Sequence, residues 1–436
     1  MDEIIKILFQ IGLILFIFLI PIFKLNSNNT LSLKNATTLD QTFFNFIILI
    51  NLILFLSFFS FKISSIIFII SFFILASLIY NLVLKYNFLG SLEYKLKLFF
   101  FTIFFILISF DLLFNLELGW DAQKLWFPKV LNFYQGNTIA NLETLLWPEY
   151  PFLGSLLWAF FWKISFSEYE YLGRLIYVFI FCLSIFSISE ILKLSFIKQM
   201  LFASLSILLI YNYNLFNGYQ EIIIFSLVIL AAKYSYLIIL EKKLDIFYLI
   251  FLLLIFNSII WIKNEGIFIS LFLFFNIFLF SKYKLKHKLI SLFILILLIA
   301  LRLLIFKFYN FEISLQPGSY NNFSLSEIFN KISIDRLSII YKYLIQSIFK
   351  NYLVLLSLLF ILFYFIKKKN FKNINFVLFY FFLNIVFINF AYLLTDLPIE
   401  FAAKSGTHRL MFEFSGYYLL FIIIFLNEFC KQSKKN

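Results

Sequence analysis

Long apolar runs separated by short polar segments are the dominant pattern of this chain. A helix needs about 20 mostly apolar residues to cross the hydrocarbon core of a bilayer. Runs of this kind lie near residues 4–23, 42–61, 65–84, 96–116, 170–192, 199–216, 219–240, 246–262, 266–281, 289–308, 350–366, 374–395 and 411–429. They are too long for the strands of a membrane barrel and show no alternation of apolar and polar positions. The pattern therefore predicts an all-α fold, a polytopic transmembrane helical bundle of about 13 spans.

Clusters of lysines between alternate runs predict how the chain crosses the membrane, because basic loops stay on the cytoplasmic side. The clusters are Lys85/Lys95/Lys97, Lys242/Lys243, Lys282/Lys284/Lys286/Lys288, Lys367/Lys368/Lys369/Lys372 and Lys431/Lys434/Lys435. Three longer loops of mixed charge, 117–150, 309–349 and 396–410, fall on the outer side. The crossings agree only if residues 152–165 form a short or re-entrant helix. The C-terminus is then cytoplasmic and the N-terminus lies outside.

Composition narrows the class of protein further. The chain has 436 residues, of which 63% are hydrophobic and 14% charged, whereas soluble domains are about 45–50% apolar and about a quarter charged. This excludes a soluble enzyme, a disordered chain and a nucleic-acid binder. The net charge of +13 is spread over short clusters between apolar runs, which is typical of membrane topology. The two cysteines provide no disulfide framework or metal spacing.

The first outer loop and the helix that follows it carry an unusual concentration of tryptophans and prolines, together with several charged residues. Five of the six tryptophans and three of the six prolines lie between positions 120 and 162. Tryptophans mark the bilayer interface in any membrane protein, but this does not account for Asp121, Lys124, Lys129 and Glu149. An interfacial helix over 119–129 would place Asp121, Lys124 and Leu125 on one face. Asp121 could then act as a general base beside an anionic substrate, or form a solvated salt bridge of little energetic value.

Three further polar segments interrupt or end apolar runs on the outer side. They contain Tyr219 and Glu221, Lys263 and Glu265, and His408 and Arg409. A charged side chain at membrane depth costs about 2.5–3.5 kcal/mol, so it usually faces a cavity or a partner. Lys263 and Glu265 could simply neutralise one another, and His408 could be a hydrogen-bonded interface residue. Arg409 could present a forked donor to a phosphate.

In order and spacing, these segments resemble the polytopic glycosyltransferases of the GT-C fold, which include protein O-mannosyltransferases and the bacterial aminoarabinose transferase. The similarity is greater to uncharacterised bacterial members of that class. It covers about residues 96–429 and departs from the family where Glu149 and Glu221 replace an expected Asp. The matching segments are Trp120-Asp121-Ala122 with Trp126 and Lys129, Pro148-Glu149-Tyr150-Pro151, Tyr219-Gln220-Glu221, Lys263-Asn264-Glu265-Gly266, and Ser405 to Arg409.

The resemblance implies a domain organisation: three extra N-terminal transmembrane helices over 1–95, followed by a GT-C-like catalytic domain over 96–436 with short interfacial helices in its outer loops. It implies an enzyme of a bacterial inner membrane whose active site faces the periplasm. The enzyme would move a sugar from a polyprenyl-phosphate donor to a hydroxyl of a glycan, lipid or protein acceptor in the cell envelope. No cofactor is implied, and without an Asp-x-Asp motif beside Asp121 a divalent metal is left open.

The resemblance also implies residue roles. Asp121 would take the proton of the acceptor hydroxyl, with inversion at the anomeric carbon. The candidates for binding the donor phosphate are Arg409, Lys263, Lys124 and Lys129. The candidates for orienting the substrate are Glu149, Tyr150, Glu221, Tyr219, Glu265, Trp126 and His408.

Two other functions fit a polytopic chain. A transporter or flippase for a lipid-linked or anionic solute would be expected to have Gly- or Pro-broken helices near the midplane. Here Gly and Pro are scarce within the runs, and the polar residues gather at one rim, which favours the transferase. A non-catalytic assembly factor would not require acids and bases to converge.

Overall fold

The computed structural model describes residues 2–20, 39–83, 92–212, 214–311, 332–366, 373–395 and 397–433, and helix is the regular secondary structure of these residues. The all-α class is therefore confirmed. In chain order the helices are α1 (Asp2–Leu19), α2 (Asp40–Ser57), α3 (Ile63–Val83), α4 (Leu92–Phe114), α5 (Phe127–Tyr134), α6 (Leu153–Ile164), α7 (Tyr171–Ser189), α8 (Phe196–Ile210), α9 (Glu221–Ile239), α10 (Ile246–Ile260), α11 (Gly266–Phe280), α12 (Leu285–Phe308), α13 (Ile334–Lys350), α14 (Tyr352–Ile366), α15 (Asn375–Leu394), α16 (Ile399–Ser415) and α17 (Leu419–Ser433).

Among the described residues, eight helical segments are long and apolar enough to cross a membrane, and α13 with α14 forms a bent pair at 91° that raises the number to nine. The chain is thus an integral, multi-pass membrane protein. The helices α8, α10 and α11 have 15 residues each, which is about 22 Å of helix. This is shorter than the roughly 30 Å hydrocarbon core, so the 13 crossings stay a prediction.

Several contacts show which helix ends lie together. Lys263, just after α10, contacts Glu221 at the start of α9. The hydroxyl of Tyr177, in the first half of α7, accepts a hydrogen bond from Gln220 at 3.1 Å. We call this end, where α10 ends and α7 and α9 begin, the site end. At the start of α1, Lys6 lies 4.7 Å from the ring of Tyr169, so the chain begins at the site end as well.

The short helix α6 lies across the site end. Near its start, the amide of Leu153 donates to the carbonyl of Trp261 at 2.9 Å, where α10 ends. Further along, Nε1 of Trp158 donates to the carbonyl of Glu170 at 3.0 Å, where α7 begins. Both partners belong to the same end of the bundle, so α6 does not cross it, in agreement with the short helix predicted over 152–165.

The lysine clusters that can be located lie at the opposite end, because Lys242 follows α9 and Lys288 is in the first turn of α12. Lys85, the cluster 367–372, and Lys434 and Lys435 lie outside the described residues. The separation of the two ends agrees with the predicted topology. Which end faces the cytoplasm stays a prediction.

The described parts of two predicted outer loops are largely helical. Residues 399–410 belong to α16, and residues 334–349 belong to α13, while 312–331 and 396 lie outside the described residues. The resemblance implies short interfacial helices in the outer loops, but α16 continues beyond residue 411, where the last span was predicted to begin. The apolar run of α16 and α17 is instead one candidate span of 31 residues, Ile399–Phe429, or about 46 Å. Its first turns therefore extend beyond the hydrocarbon core and can carry polar side chains while remaining helical.

A buried ionic network ties four helices together at the end opposite the site. Nζ of Lys233 in α9 lies 2.7 Å from Oδ1 of Asp40 at the start of α2 and 3.1 Å from Oε2 of Glu190 after α7. Oε1 of Glu190 lies 3.2 Å from Nζ of Lys97 in α4. Charges in an apolar interior are tolerated only when they are paired. The network therefore fixes the relative positions of these helix ends.

Lys233→Met should strongly destabilise the protein, because it removes the cation that both buried carboxylates contact. The expected loss is about 3–5 kcal/mol, measured as a fall in melting temperature of the purified protein in detergent. The control is Lys193→Met. The side chains of Lys193 and its ion-pair partner Glu241 are 45% and 29% exposed, so loss of this pair should cost at most about 1 kcal/mol. Equal effects of the two substitutions would contradict the structural role of the network.

Candidate functional site

Two loops at the site end are joined through glycine. The amide of Gly119 donates to the carbonyl of Asn217 at 2.9 Å. A Cβ atom at Gly119 would overlap the ring of Tyr219, so a larger residue here would displace that ring. Gly218 has φ of +88°, a conformation that glycine adopts without strain. The segment that carries Asp121 is thereby placed beside the segment that carries Tyr219.

Arg174 in α7 forms hydrogen bonds to the same two loops. Its guanidinium is fully buried and donates to the carbonyl of Phe216 at 2.9 Å and to that of Leu116 at 3.1 Å. Glu170 neutralises it at 2.8 Å. Sequence reasoning did not find Arg174, although an arginine inside an apolar run is a signal for a buried polar contact.

The segment after Asp121 departs from the regular helix predicted over 119–129. Residues Ala122–Trp126 form a π-helical turn that leads directly into α5. A π-turn is wider than an α-turn, so the α-helical spacing no longer places Asp121 and Lys124 on one face. Lys124 is exposed, whereas Leu125 is buried. The predicted common face is therefore wrong.

Arg409 in α16 connects two of the predicted acidic residues. Its Nη1 forms an ion pair with Oδ2 of Asp121, and its Nε donates to Oε1 of Glu221 at 2.6 Å. The guanidinium also lies 5.0 Å from the centre of the Tyr219 ring, within the range of a cation–π interaction. Four predicted site residues from three separate segments thus meet at one point.

Lys263 extends this group toward the interior. Its Nζ lies 2.6 Å from Oε1 of Glu413, 3.2 Å from Oε1 of Glu221 and 3.9 Å from Oε1 of Glu265. Its ammonium is therefore occupied by carboxylates, which does not support the predicted contact with a donor phosphate. Sequence reasoning missed Glu413, although a carboxylate within an apolar run is itself a signal of function. We call Asp121, Glu221, Lys263, Glu265, Arg409 and Glu413 the acid–base cluster.

Arg302, in the candidate span α12, supports the turn that carries Lys263. Its Nη1 donates to the carbonyl of Ile260 at 2.8 Å, and its Nη2 donates to Oδ1 of Asn264. The side chain is buried. Sequence reasoning missed this residue too. Its role is to fix the turn between α10 and α11, and with it the position of Lys263.

Four other predicted residues, Trp126, Lys129, Glu149 and Tyr150, lie together within the first outer loop. Trp126 packs edge-on against Tyr150, with ring centres 6.1 Å apart. Nζ of Lys129 donates to the carbonyls of Trp147 at 2.9 Å and Tyr150 at 2.6 Å. Burial lowers the pKa of Lys129 to about 7, while the nearby Glu149 carboxylate opposes this shift. Lys129 therefore holds the loop together, which does not support its predicted contact with a phosphate.

A cavity of about 280 Å³ adjoins the acid–base cluster. It lies between the end of α8, the start of α9, the corner of α13 and α14, and α16. Of the predicted site residues, Tyr219, Glu221, His408 and Arg409 line it. Its other polar lining residues are Tyr211, Asn212, Asn214, Lys350, Asn351, Tyr352 and Ser415.

Tyr211 is oriented by a carboxylate. Its hydroxyl donates to Oδ2 of Asp111 in α4, and burial together with this carboxylate raises the pKa of Tyr211. Neither residue was predicted, because each stands alone near the end of an apolar run. Among the described residues, no group of three or more His, Cys, Asp or Glu side chains is placed to hold a metal ion.

The stability of the protein should depend on pH through Lys129. Folding lowers its pKa from an ordinary value of 10.5 to about 7, so the unfolded chain binds more protons between these pH values. Stability should therefore rise with pH across this window, by up to about 1.4 kcal/mol per unit. Melting temperatures at pH 7, 8 and 9 should rise less in Lys129→Met than in wild type. Lys124→Met, at an exposed lysine of the same loop, should keep the wild-type slope, and an unchanged slope in Lys129→Met would contradict the assignment.

Comparison with known proteins assigns no family. The chain matches no family model, no curated protein and no solved structure. The chemistry of the acid–base cluster and its cavity must therefore carry any functional conclusion.

Proposed function

We propose that the protein is a membrane glycosyltransferase that moves a sugar from a polyprenyl-phosphate donor to an acceptor hydroxyl on the outer, periplasmic side of a bacterial cell membrane. The observation that carries this proposal is the contact between Asp121 and Arg409 at the wall of a cavity at the site end. Glycosyl transfer from a lipid phosphate needs a base for the acceptor and a cation for the leaving group. These two residues provide both. The reaction would serve the assembly of cell-envelope glycans or glycolipids.

Asp121 is the candidate base. Its carboxylate is 23% exposed, so it can be reached by an acceptor while remaining fixed by the loop. As the acceptor oxygen attacks the anomeric carbon, its proton passes to Asp121. The bond between the anomeric carbon and the phosphate oxygen breaks, and the electron pair leaves with the polyprenyl phosphate. A single displacement of this kind inverts the anomeric centre.

Arg409 is the candidate for stabilising the leaving phosphate. Charge develops on the bridging phosphate oxygen in the transition state, and a fixed guanidinium lowers the energy of that charge. Arg409 lines the cavity, whereas Lys263 and Lys129 are occupied by protein acceptors. Glu221 and Tyr219 hold the guanidinium in place from two sides.

The position of the site favours a donor held in the bilayer. Arg409 lies about 30 Å of helix from Phe429, the other end of the candidate span, which places it near one surface of the hydrocarbon core. A lipid-borne phosphate would occupy this depth. The acceptor would approach from the water on the same side.

Asp121→Asn should abolish most of the activity, because the amide cannot accept the proton of the acceptor. Purified wild type and variant would be incubated with a panel of polyprenyl-phosphate sugars, and release of the sugar would be measured. The expected fall is about 10²- to 10⁴-fold. Glu117→Gln is the matched control, since it changes an exposed carboxylate of the same loop and should leave turnover unchanged.

Equal turnover by wild type and Asp121→Asn would remove Asp121 from the mechanism. No turnover with any donor, together with uptake of the lipid-linked or anionic solute into proteoliposomes, would overturn the transferase in favour of a transporter or flippase.

A further inference from the structure

Arg409 takes part in two arrangements at once. It belongs to the acid–base cluster through Asp121 and Glu221, and it lines the cavity together with Lys350 and His408. A guanidinium has a limited number of donor directions. Here Nη1 faces Asp121, and Nε and Nη2 face Glu221. Because the Nε–Nη2 edge faces Glu221, an anion that binds Arg409 through two N–H groups uses the Nη1–Nη2 edge and competes with Asp121 for Nη1.

We propose that the cavity is a binding site for a phosphate anion, formed by Lys350, His408 and Arg409, and that its occupation separates Arg409 from Asp121. This rests on the proposed function in identifying Asp121 as the base. Before the anion binds, the guanidinium holds Asp121 in an ion pair. After it binds, the carboxylate is released to accept a proton.

The lining of the cavity favours an anion. Lys350 and Arg409 bring two positive charges to the lining, and His408 adds a ring N–H donor, against the single carboxylate of Glu221. Arginine forms bidentate contacts with phosphate, and lysine binds it as a point charge. The side-chain amides of Asn212 and Asn351 supply further donors in the same lining. Lys350 was not expected from the sequence, and its role in binding is new here.

Asp121 and not Glu221 loses its contact with Arg409, because the two carboxylates differ in burial and in the number of their cationic partners. Glu221 is 7% exposed and also contacts Lys263 at 3.2 Å, so Arg409 and Lys263 bind it from two sides. Asp121 is 23% exposed, and water can replace its contact with Arg409. Breaking a partly exposed ion pair costs less than breaking a buried one. The anion would thus leave the pair of Arg409 and Glu221 intact.

The coupling has a chemical consequence. The base becomes available only when the donor phosphate is in place, so the donor binds first and the acceptor is activated second. An anion and Asp121 that share one guanidinium oppose each other reciprocally. Removing the charge of Asp121 should therefore tighten binding of the anion.

The test measures binding, which needs no turnover. The full chain in detergent would be titrated with farnesyl phosphate by calorimetry, with farnesol as the uncharged control. Asp121→Asn should tighten binding of farnesyl phosphate by about tenfold, and Lys350→Gln should weaken it severalfold. The charge-matched control is Glu117→Gln, which removes an exposed carboxylate of the loop that carries Asp121, and it should change affinity less than twofold.

Titrations of the Arg409→Met variant isolate the role of the guanidinium. In Arg409→Met, the further substitution Asp121→Asn should no longer tighten binding. A titration with inorganic phosphate shows whether the lipid chain is part of the recognised ligand. If both phosphates show the linkage, the site recognises the anion alone. If only farnesyl phosphate shows it, the site recognises a lipid-borne phosphate.

The proposal would be overturned if Asp121→Asn and Glu117→Gln had equal effects, if the gain persisted in Arg409→Met, or if neither farnesyl phosphate nor inorganic phosphate bound. These outcomes are separate from failure of the proposed function. Linkage without sugar release would retain the anion site and reject the transferase. Sugar release without linkage would retain the transferase and reject the proposed coupling at the anion site.

Discussion

An ionised side chain without a partner is costly in an apolar interior, and this constraint organises the whole bundle. With only 14% of its residues charged, the chain concentrates its buried charges at two levels. One network joins Lys233, Asp40 and Glu190 at one end, and the acid–base cluster joins separate segments at the other. Helix α9 contributes to both, through Glu221 at its start and Lys233 twelve residues later. Pairing of charge therefore sets the register of the central helices at both ends.

The helical state of α16 connects this architecture to the chemistry. Arg409 and Glu413 are four residues apart on one helix, so they lie on one face. Arg409 reaches Asp121 and Glu221, whereas Glu413 reaches Lys263. A flexible loop over 396–410 would not fix both contacts. The same helix that completes the charge pairing thereby places the guanidinium in the cavity wall.

The apolar pattern was sufficient to predict that the chain is helical, and together with the lysine clusters it predicted the end at which the polar residues gather, because both follow from the membrane as solvent. It also brought Asp121, Tyr219, Glu221, Lys263, Glu265 and Arg409 into one site. The failures have local causes. The π-helical turn places Lys124 at the surface, and Lys129 donates hydrogen bonds to two carbonyls of its own loop. Glu413, Lys350 and Asp111 were missed because each is a single polar residue at the end or in the interior of a helix, where periodicity gives no sign of its partner.

The charge balance of the cluster decides which cations can serve a substrate. Formally, four carboxylates (Asp121, Glu221, Glu265 and Glu413) face two cations, Lys263 and Arg409. A cluster with excess negative charge repels a phosphate, so it cannot by itself be the anion site. Lys350 and His408 lie on the cavity side, away from this excess, and Arg409 stands between the two environments. An anion would be attracted by the cavity residues and would withdraw Arg409 from Asp121. Arg409 thus couples the two environments. A phosphate held by the cavity residues frees the carboxylate of Asp121 to act as a base, while Glu221 stays paired with Arg409 and Lys263.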